Sequence, residues 1–231
     1  PWLEEQMARL RPPKDGVTVR MYRQGHGDCF LIAMPRKGGS RPVYVVIDCG
    51  FKPGSPAFVH NRKIDDVIAH LKDATGGRID LMIVTHEHQD HLNGIWRKTN
   101  PYFGGFRIDE AWFAWTEDPH DDLANELRKR HKDQLLGLIE ARRKLALAVG
   151  DTDAAVRRID SMLSLELGGT DDALSHAVML AAASDPSASI NKQGMKLVKD
   201  KASEHRGVSY LKPGDGPLTV AGTAGIRAFI L

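Results

Sequence analysis

The chain has 231 residues, of which 42% are hydrophobic and 27% charged, which suits a folded globular protein and excludes an intrinsically disordered one. The formal net charge of +2 is too small to argue for nucleic-acid or membrane binding from charge alone. No apolar run approaches the roughly 18 residues that a membrane-spanning helix needs, so we expect no membrane partner.

The first half of the chain alternates short strand-like runs with turns. Apolar residues at positions 64, 67, 68 and 71 have helical spacing, and Gly76-Gly77 would end that helix. A second helix is expected to start over 91–98. Apolar runs predict strands over 17–22, 29–34, 43–47, 79–84 and 108–115. Strands interleaved with helices predict an α/β protein with a mixed sheet.

The two cysteines, Cys29 and Cys49, lie in these apolar runs. Two cysteines do not make a disulfide framework, so both are predicted to be small core residues. The first residues also lack the basic and apolar regions of a signal peptide. A reducing compartment, the cytoplasm, is therefore the expected location.

The character of the sequence changes at Asp118. From 119 to about 183 the chain is rich in Ala, Leu, Arg, Lys and Glu, and glycine-containing breaks at 150–153 and 168–171 divide it into three predicted helices. Asp153 is placed to cap the second of them, over about 153–167. The basic run Arg128-Lys129-Arg130 is better explained as a solvated helix face than as a nucleic-acid contact.

The last part of the chain is expected to return to the sheet. A short helix is predicted over 193–203, followed by strands at 209–211, 218–220 and 226–231. These patterns predict three units: an α/β core over 1–117, a mostly helical insertion over 118–206, and a return to core strands over 207–231. Because 226–231 resembles the middle of a strand, we expect the domain to continue past Leu231.

One segment carries the candidate chemistry. The run Thr85-His86-Glu87-His88-Gln89-Asp90-His91 places three histidines and one aspartate within six residues, directly after a predicted strand. Divalent ions such as zinc favour imidazole and carboxylate ligands. Side chains two positions apart in an extended segment point to the same side, so His86 and His88 can share one ion. Asp90 and His91 follow where the chain turns, and can approach a second ion.

Two other interpretations, a polar surface loop and a zinc-protease motif, fit this run less well than the metal site does. Incidental histidines on a polar loop would not be expected at this density after a hydrophobic strand. The zinc-protease pattern His-Glu-x-x-His does not fit, because no histidine follows His86-Glu87 at the required spacing. Glu87 is therefore interpreted as a solvent-exposed spacer rather than a general base.

The segment resembles the His-x-His-x-Asp-His signature of the metallo-β-lactamase fold superfamily. Two flanking runs support this resemblance. The end of a characteristic strand of that family resembles Val46-Ile47-Asp48-Cys49-Gly50. The Gly-Gln-Gly-Asp motif of one branch, which includes the hydrolase domain of competence-type DNA-uptake proteins, is similar to Gly25-His26-Gly27-Asp28. The resemblance implies a metallo-β-lactamase-like αββα sandwich, of which this chain holds the N-terminal part with a helical insertion. It also implies two divalent ions, zinc or alternatively manganese or iron.

The resemblance assigns His86 and His88 to the first ion and Asp90 and His91 to the second. Asp48 either orients a ligand histidine or only forms a turn before Gly50. Asp28 either starts a strand or supports the site, and His26, where the branch commonly has glutamine, is not assigned a metal. The remaining histidines are interpreted as surface residues: His60, His70, His120, His131, His176 and His205.

The family completes its sites with two further histidines and a bridging aspartate, and no such pattern follows residue 115. The run Gly214-Asp215-Gly216 is the formal candidate, but its proline neighbours indicate a turn. The missing ligands are therefore expected beyond Leu231.

The leading hypothesis is a metal-dependent hydrolase in which activated water attacks a phosphodiester or an ester- or amide-type substrate, with Asp90 also able to accept a proton. The substrate would be a small molecule, a nucleotide or nucleic acid. The alternative is a non-catalytic module that binds a protein partner, or a second copy of itself, through the helical insertion.

Overall fold

The structure is a computed structural model that describes residues 10–53, 63–96, 101–168 and 189–231. A six-stranded mixed sheet forms its centre, and helices and a small hairpin cover it. In chain order the strands are β1 Thr18–Met21, β2 Cys29–Met34, β3 Val43–Cys49, β4 Arg78–Ile79, β5 Leu81–Val84, β6 Arg107–Ile108, β7 Glu110–Ala114, β8 Gly207–Leu211, β9 Leu218–Thr219 and β10 Arg227–Ala228. The helices are α1 Ile64–Thr75, α2 Gln89–Leu92, α3 Asp122–Val149, α4 Ala154–Leu167 and α5 Ile190–Ser203.

The central sheet has the order β1-β2-β3-β5-β7-β8. Strands β1, β2 and β3 pair antiparallel, whereas β3, β5, β7 and β8 run parallel to one another. Val46 lies opposite Met82, and Met82 lies opposite Ala111. The predicted mixed sheet is confirmed, and its parallel strands bring their carboxyl ends to one edge.

Both faces of the sheet are buried. One face packs against α1 and α5 and includes Tyr44, Val46, Met82 and Phe113. The opposite face includes Val45 and packs against the β9–β10 hairpin. Burial on both faces explains why these strands read as continuous apolar runs instead of alternating ones. Cys29 and Cys49 are buried free thiols in this core, as predicted.

Two buried aspartates interrupt strands that the sequence predicted to be continuous. Asp80 separates β4 from β5, and Asp109 separates β6 from β7. The Asp80 carboxylate accepts a hydrogen bond from the Tyr44 backbone N–H at 2.9 Å and contacts two arginine side chains. The prediction of unbroken strands over 79–84 and 108–115 was wrong. The pattern of apolar residues cannot show that an aspartate within the run binds arginines and interrupts the strand pairing.

The helix expected to start over 91–98 was also placed wrongly. Helix α2 begins at Gln89 and ends after one turn at Leu92, and residues 97 and 98 lie outside the described ranges. Gly94 follows it and donates its N–H to the carbonyl of Cys49 at 2.9 Å. A Cβ on Gly94 would lie 2.6 Å from that carbonyl oxygen. The chain therefore leaves the helical path to pack against the end of β3.

Two long helices follow β7, close to their predicted bounds. Asp121 caps α3 and Asp153 caps α4, each by accepting a backbone N–H. Leu163 and Leu167 of α4 pack against leucines of α3, and the Arg142 guanidinium binds the Asp160 carboxylate through two hydrogen bonds. The predicted third helix, to about 183, lies outside the described residues.

The last helix and hairpin also match the sequence pattern in part. Ser189 caps α5, which begins three residues earlier than predicted. The predicted strand over 226–231 is limited to β10. None of the described helices is both long enough and apolar enough to span a bilayer.

Candidate metal centre

The histidine-rich segment begins where β5 ends, at the carboxyl edge of the parallel strands. The end of β3 holds its first residue in place. Thr85 donates its backbone N–H to Asp48 Oδ1 at 2.9 Å and its hydroxyl to Asp48 Oδ2 at 2.6 Å. Ligands in α/β proteins commonly bind at such an edge, where loops from adjacent strands converge.

Asp48 also contacts the last residue of the segment. His91 Nδ1 lies 2.9 Å from Asp48 Oδ2, and both side chains are buried. Asp48 has a φ of 52°. This left-handed backbone conformation is energetically unfavourable for residues other than glycine. Asp48 therefore both makes the turn and orients His91, so the two interpretations of this residue are combined.

Three members of the segment converge on one point. The ligand atoms of His86, Asp90 and His91 all lie within 4.8 Å of one another. His91 Nε2 is 3.6 Å from Asp90 Oδ2. Asp90 is buried, and its Oδ1 has no hydrogen-bond partner. A buried carboxylate oxygen without a partner is costly, and a divalent cation beside two imidazoles would satisfy it. These residues therefore fit a metal ion.

His88 is placed differently from this group. Its ring centroid lies 4.7 Å from that of His86, but its Nε2 turns away and lies 3.2 Å from Glu166 Oε1 on α4. The second Glu166 oxygen lies 3.3 Å from His131 Nε2 on α3, close enough for an ion pair but not aligned as a hydrogen bond. The His131 side chain is 44% exposed, so this residue lies at the surface, as predicted, and also contacts Glu166.

Glu166 was not among the residues predicted from the sequence. It lies in a helical run of ordinary composition, 78 positions after His88, and no local spacing marks it. Glu87 was likewise misjudged as an exposed spacer: its side chain is only 18% exposed and forms an ion pair with Lys192 of α5. Both contacts join the segment to helices that are distant in sequence.

Glycines allow the backbone to pass close to Asp90. A Cβ on Gly27 would lie 2.3 Å from the Asp90 carbonyl oxygen, and one on Gly50 would lie 2.5 Å from the Asp90 carbonyl carbon. Asp28 donates its backbone N–H to the same carbonyl at 3.2 Å. The loop before β2, the loop after β3 and α2 therefore meet at the candidate site.

The loop before β2 also brings two polar side chains to the segment. His26, which was not assigned a metal from the sequence, lies with its Nε2 3.3 Å from Asp90 Oδ2. Asp28 Oδ2 lies 3.9 Å from His91 Nδ1, and Asp28, Asp48 and His91 form a second group that could hold a cation. Asp28 both precedes β2 and faces the site.

The other candidates lie elsewhere. His120 and His205 are exposed, as predicted, but His70 is half-buried between Arg20 and Tyr22. His60 and His176 lie outside the described residues. Asp215 closes a turn by accepting the Lys212 N–H at 2.8 Å, as its proline neighbours predicted.

The three motif histidines have different electrostatic surroundings. Burial lowers the pKa of His86, and the neighbouring rings of His91 and His88 lower it further. A hydrogen bond to Glu166 raises the pKa of His88. Burial opposes protonation of His91, but the hydrogen bond to Asp48 and the charges of Asp48, Asp90 and Asp28 together outweigh it and leave that pKa raised. Contacts with His131 and His88 lower the pKa of Glu166 to about 2.

An open groove of about 320 Å³ lies between the segment and α3. His86 and His88 form part of one wall, and Leu127 and Leu135 of α3 contribute apolar surface to the other. Side chains of both charges line the same groove: Arg128, Lys132 and Lys192 are positive, and Glu87, Glu117 and Glu166 are negative. The groove is large enough to bring a small substrate next to the histidines.

A family-level comparison matches residues 23–146 to the Metallo-beta-lactamase superfamily. The match includes the strand before the segment, the segment and most of α3, and it spans more than half of the chain. A search of curated proteins found no match, so the finer resemblance to DNA-uptake proteins stays a prediction. The chain belongs to the metallo-β-lactamase superfamily.

Proposed function

We propose that this chain is a metal-dependent hydrolase. The observation that carries the proposal is the convergence of His86, Asp90 and His91 on one point at the carboxyl edge of the sheet, in a member of a mostly hydrolytic superfamily. His88 completes the proposed ligand set from the rim of the groove. Imidazole and carboxylate donors favour zinc, with manganese and iron as alternatives.

The hydrogen-bond partners of the histidines prepare them to bind a cation. The single hydroxyl proton of Thr85 goes to Asp48, so Thr85 Oγ1 accepts from His86 Nδ1, which lies 3.0 Å away. Asp48 accepts the Nδ1 proton of His91. Both rings are then left with an unprotonated Nε2. Neutral imidazole with its other nitrogen donating to an oxygen is the usual form of a ligand histidine.

Divalent cations held here would make a water nucleophilic near neutral pH. We propose two cations, as the family resemblance implies, with Asp90 near both because its second oxygen is free to bind. Asp90 is also placed to accept a proton from the attacking water. The protein contributes fixed ligands and a groove that aligns the substrate.

Within the proposal, a phosphodiester is the preferred substrate class. Lys132 is exposed on the α3 wall, and Arg128 lies one helical turn before it. The Arg128 guanidinium donates to the carbonyls of Thr116 and Asp118. Lys132 is therefore the side chain that we propose to contact the charge of a phosphodiester whose phosphorus lies at the cations. Esters and amides remain the alternative substrate class within the proposal.

Hydrolysis assays test this function directly. We expect the zinc-loaded protein to hydrolyse bis-p-nitrophenyl phosphate faster than a β-lactam, and His86→Ala or Asp90→Ala to lower kcat/KM by at least about 100-fold through loss of metal activation. His120→Ala, which changes an exposed histidine, is the matched control and should retain full activity.

A fully metal-loaded protein without turnover on either substrate would contradict the hydrolase. It would favour the alternative, a non-catalytic module that binds a protein partner or a second copy through its helices. The observation that favours this alternative is the exposed apolar surface of α3 and α4, where Leu147 is 77% and Met162 58% exposed.

A further inference from the structure

Each of the three motif histidines has one ring nitrogen engaged by an oxygen atom. For His86 and His91 the oxygen belongs to the strand ends beneath them, Thr85 and Asp48. For His88 it belongs to Glu166, on a helix outside the sheet. The second histidine of the segment therefore depends on a different part of the fold.

The Glu166 carboxylate is placed between two rings. Its Oε1 lies 3.2 Å from His88 Nε2 and its Oε2 lies 3.3 Å from His131 Nε2, and the side chain is 22% exposed. Because a carboxylate accepts but does not donate, the proton of His88 must lie on Nε2. The nitrogen left with a lone pair is Nδ1, on the side of the ring away from Glu166.

Contacts from neighbouring elements hold the end of α4, and with it Glu166, in this position. Asn191 of α5 donates its side-chain amide to the carbonyls of Leu165 and Glu166 at 3.0 and 2.9 Å. Leu163 and Leu167 are buried against α3 on either side of it. Lys52, from the loop after β3, contacts the Ser161 hydroxyl one turn earlier in α4. The end of α4 is thus anchored to both α5 and the strand that carries Asp48.

We infer that Glu166 is a positioning residue for the metal centre: it accepts the Nε2 proton of His88 and directs His88 Nδ1 towards the cation. The inference rests on the proposed function. A carboxylate that holds the outer nitrogen of a ligand histidine typically contributes 10- to 100-fold, as a rough range, to metal affinity. Asp48 occupies the corresponding place behind His91, so the sheet supplies one such carboxylate and the helices supply the other.

Direct coordination by Glu166 is the competing role. Among the described residues, neither Glu166 nor His88 belongs to a group of side chains whose ligand atoms lie within 4.8 Å of one another. The His88 ring nevertheless packs beside the His86 ring, with 4.7 Å between their centroids, whereas Glu166 contacts His88 and His131. Its Oε1 lies 3.2 Å from His88 Nε2, and its Oε2 lies 3.3 Å from His131 Nε2 without hydrogen-bond alignment. The geometry therefore favours a role through His88.

Metal affinity tests the inference. We expect Glu166→Ala to weaken Zn²⁺ binding, measured by chelator competition, by about 10- to 100-fold. Glu166→Gln should lose less, because its amide oxygen still accepts the His88 proton. Glu126→Gln, an exposed glutamate on α3 whose side chain is 65% exposed, is the control and should bind as the wild type does. Circular dichroism checks that each variant is folded.

The tautomer of His88 gives a readout that a merely structural role of Glu166 would not change. In the metal-free protein, above the pH range of histidine titration, ring ¹⁵N shifts should show His88 protonated on Nε2. Glu166→Ala should populate the Nδ1-protonated form as well, while His86 and His91 keep their tautomers. An unchanged His88 tautomer would overturn the inference.

The outcomes separate this inference from the proposed function. If the wild type binds Zn²⁺ and His88→Ala weakens it, but Glu166→Ala binds as the wild type does, only the inference fails. A Co²⁺ absorption spectrum that shows a lost carboxylate ligand in Glu166→Ala would also overturn it, in favour of direct coordination. If the wild type binds neither ion, the proposed function fails and the inference with it.

Discussion

The Asp48 carboxylate accepts three hydrogen bonds, from the Thr85 backbone N–H, the Thr85 hydroxyl and His91 Nδ1. It is 1% exposed, so water does not replace a lost partner. Its backbone is held in the left-handed region, where β3 leaves the sheet. One side chain thus fixes both the start and the end of the histidine-rich segment, so the segment is preorganised without a bound ion.

Replacing this carboxylate tests its hold on His91. In Asp48→Asn the amide could accept only through one oxygen, and its NH₂ group would face a donor. We expect Zn²⁺ affinity to fall by about 10- to 100-fold and the free energy of unfolding to fall by about 1–3 kcal/mol. Chelator competition and urea denaturation measure the two effects. Asp200→Asn, in an exposed pair with Lys196, is the control. Unchanged affinity in Asp48→Asn would contradict the role of Asp48.

The contrast between Asp48 and Glu166 shows what the sequence could predict at this site. His86, His88, Asp90 and His91 were predicted as ligands because metal ligation at a strand end requires closely spaced donors, and that spacing is visible in one chain. Asp48 was a candidate because it ends a buried strand. Glu166 could not be predicted, because its contact with His88 depends on how α4 packs and no local sequence signal marks it.

Among the elements, the predictions failed where a tertiary contact overrode periodicity. Helix α2 ends after one turn because Gly94 packs against Cys49, and two strands are interrupted by Asp80 and Asp109, which bind arginines. Helices α1, α3 and α4 were predicted closely, because each carries its own amphipathic pattern and a stop or capping residue. Elements defined by local signals are predictable, whereas breaks caused by distant partners are not.

The close approach of the loop after β3 to α2 gives a test at this level. Gly50→Ala would place a methyl group 2.5 Å from the Asp90 carbonyl carbon, so the loop or α2 must move. We expect a loss of about 1–3 kcal/mol in the free energy of unfolding, together with weaker Zn²⁺ binding because Asp90 and His91 are displaced. Urea denaturation and chelator competition measure both.

Gly137 provides the matched control for that substitution. It lies in α3 with no atom near the position of an added Cβ. Gly137→Ala should therefore stabilise the protein, by up to about 1 kcal/mol, through helix propensity alone, and should leave Zn²⁺ affinity unchanged. Equal effects of the two substitutions would show that the space at Gly50 is not limiting.

Across the whole molecule, buried carboxylates join early and late parts of the chain. Asp109 contacts Arg78, Arg107 and Arg206 at 2.6, 2.6 and 3.4 Å. Arg206 comes from the link between α5 and β8, and it also reaches the Asp80 carbonyl at 2.5 Å. The parallel pairing of β8 with β7 is therefore reinforced by charge at the start of both strands. Ion pairing of this kind is expected to depend on pH.

The pKa of Asp109 sets the direction of that dependence. Burial opposes ionisation of Asp109, but hydrogen bonds from Arg107 and Arg78 outweigh it and leave its pKa below the usual value. A lowered folded-state pKa contributes stability above the unfolded pKa of about 3.9, and that stability is lost as the pH falls through the folded value. Asp109→Asn should therefore lower the free energy of unfolding at pH 7 by about 2 kcal/mol, less than the roughly 3–5 kcal/mol for fully buried pairs because the arginines stay partly in solvent.

The difference between wild type and Asp109→Asn should shrink as the pH is lowered below about 4, because protonation then neutralises the wild-type carboxylate too. Urea denaturation at a series of pH values measures it. Asp133→Asn, which changes an exposed carboxylate on α3, should have little effect at any pH. A constant difference between the variants from neutral to acidic pH would mean that Asp109 acts through its shape and not through its charge. The late strand β8 would then be held by backbone pairing and apolar contacts alone.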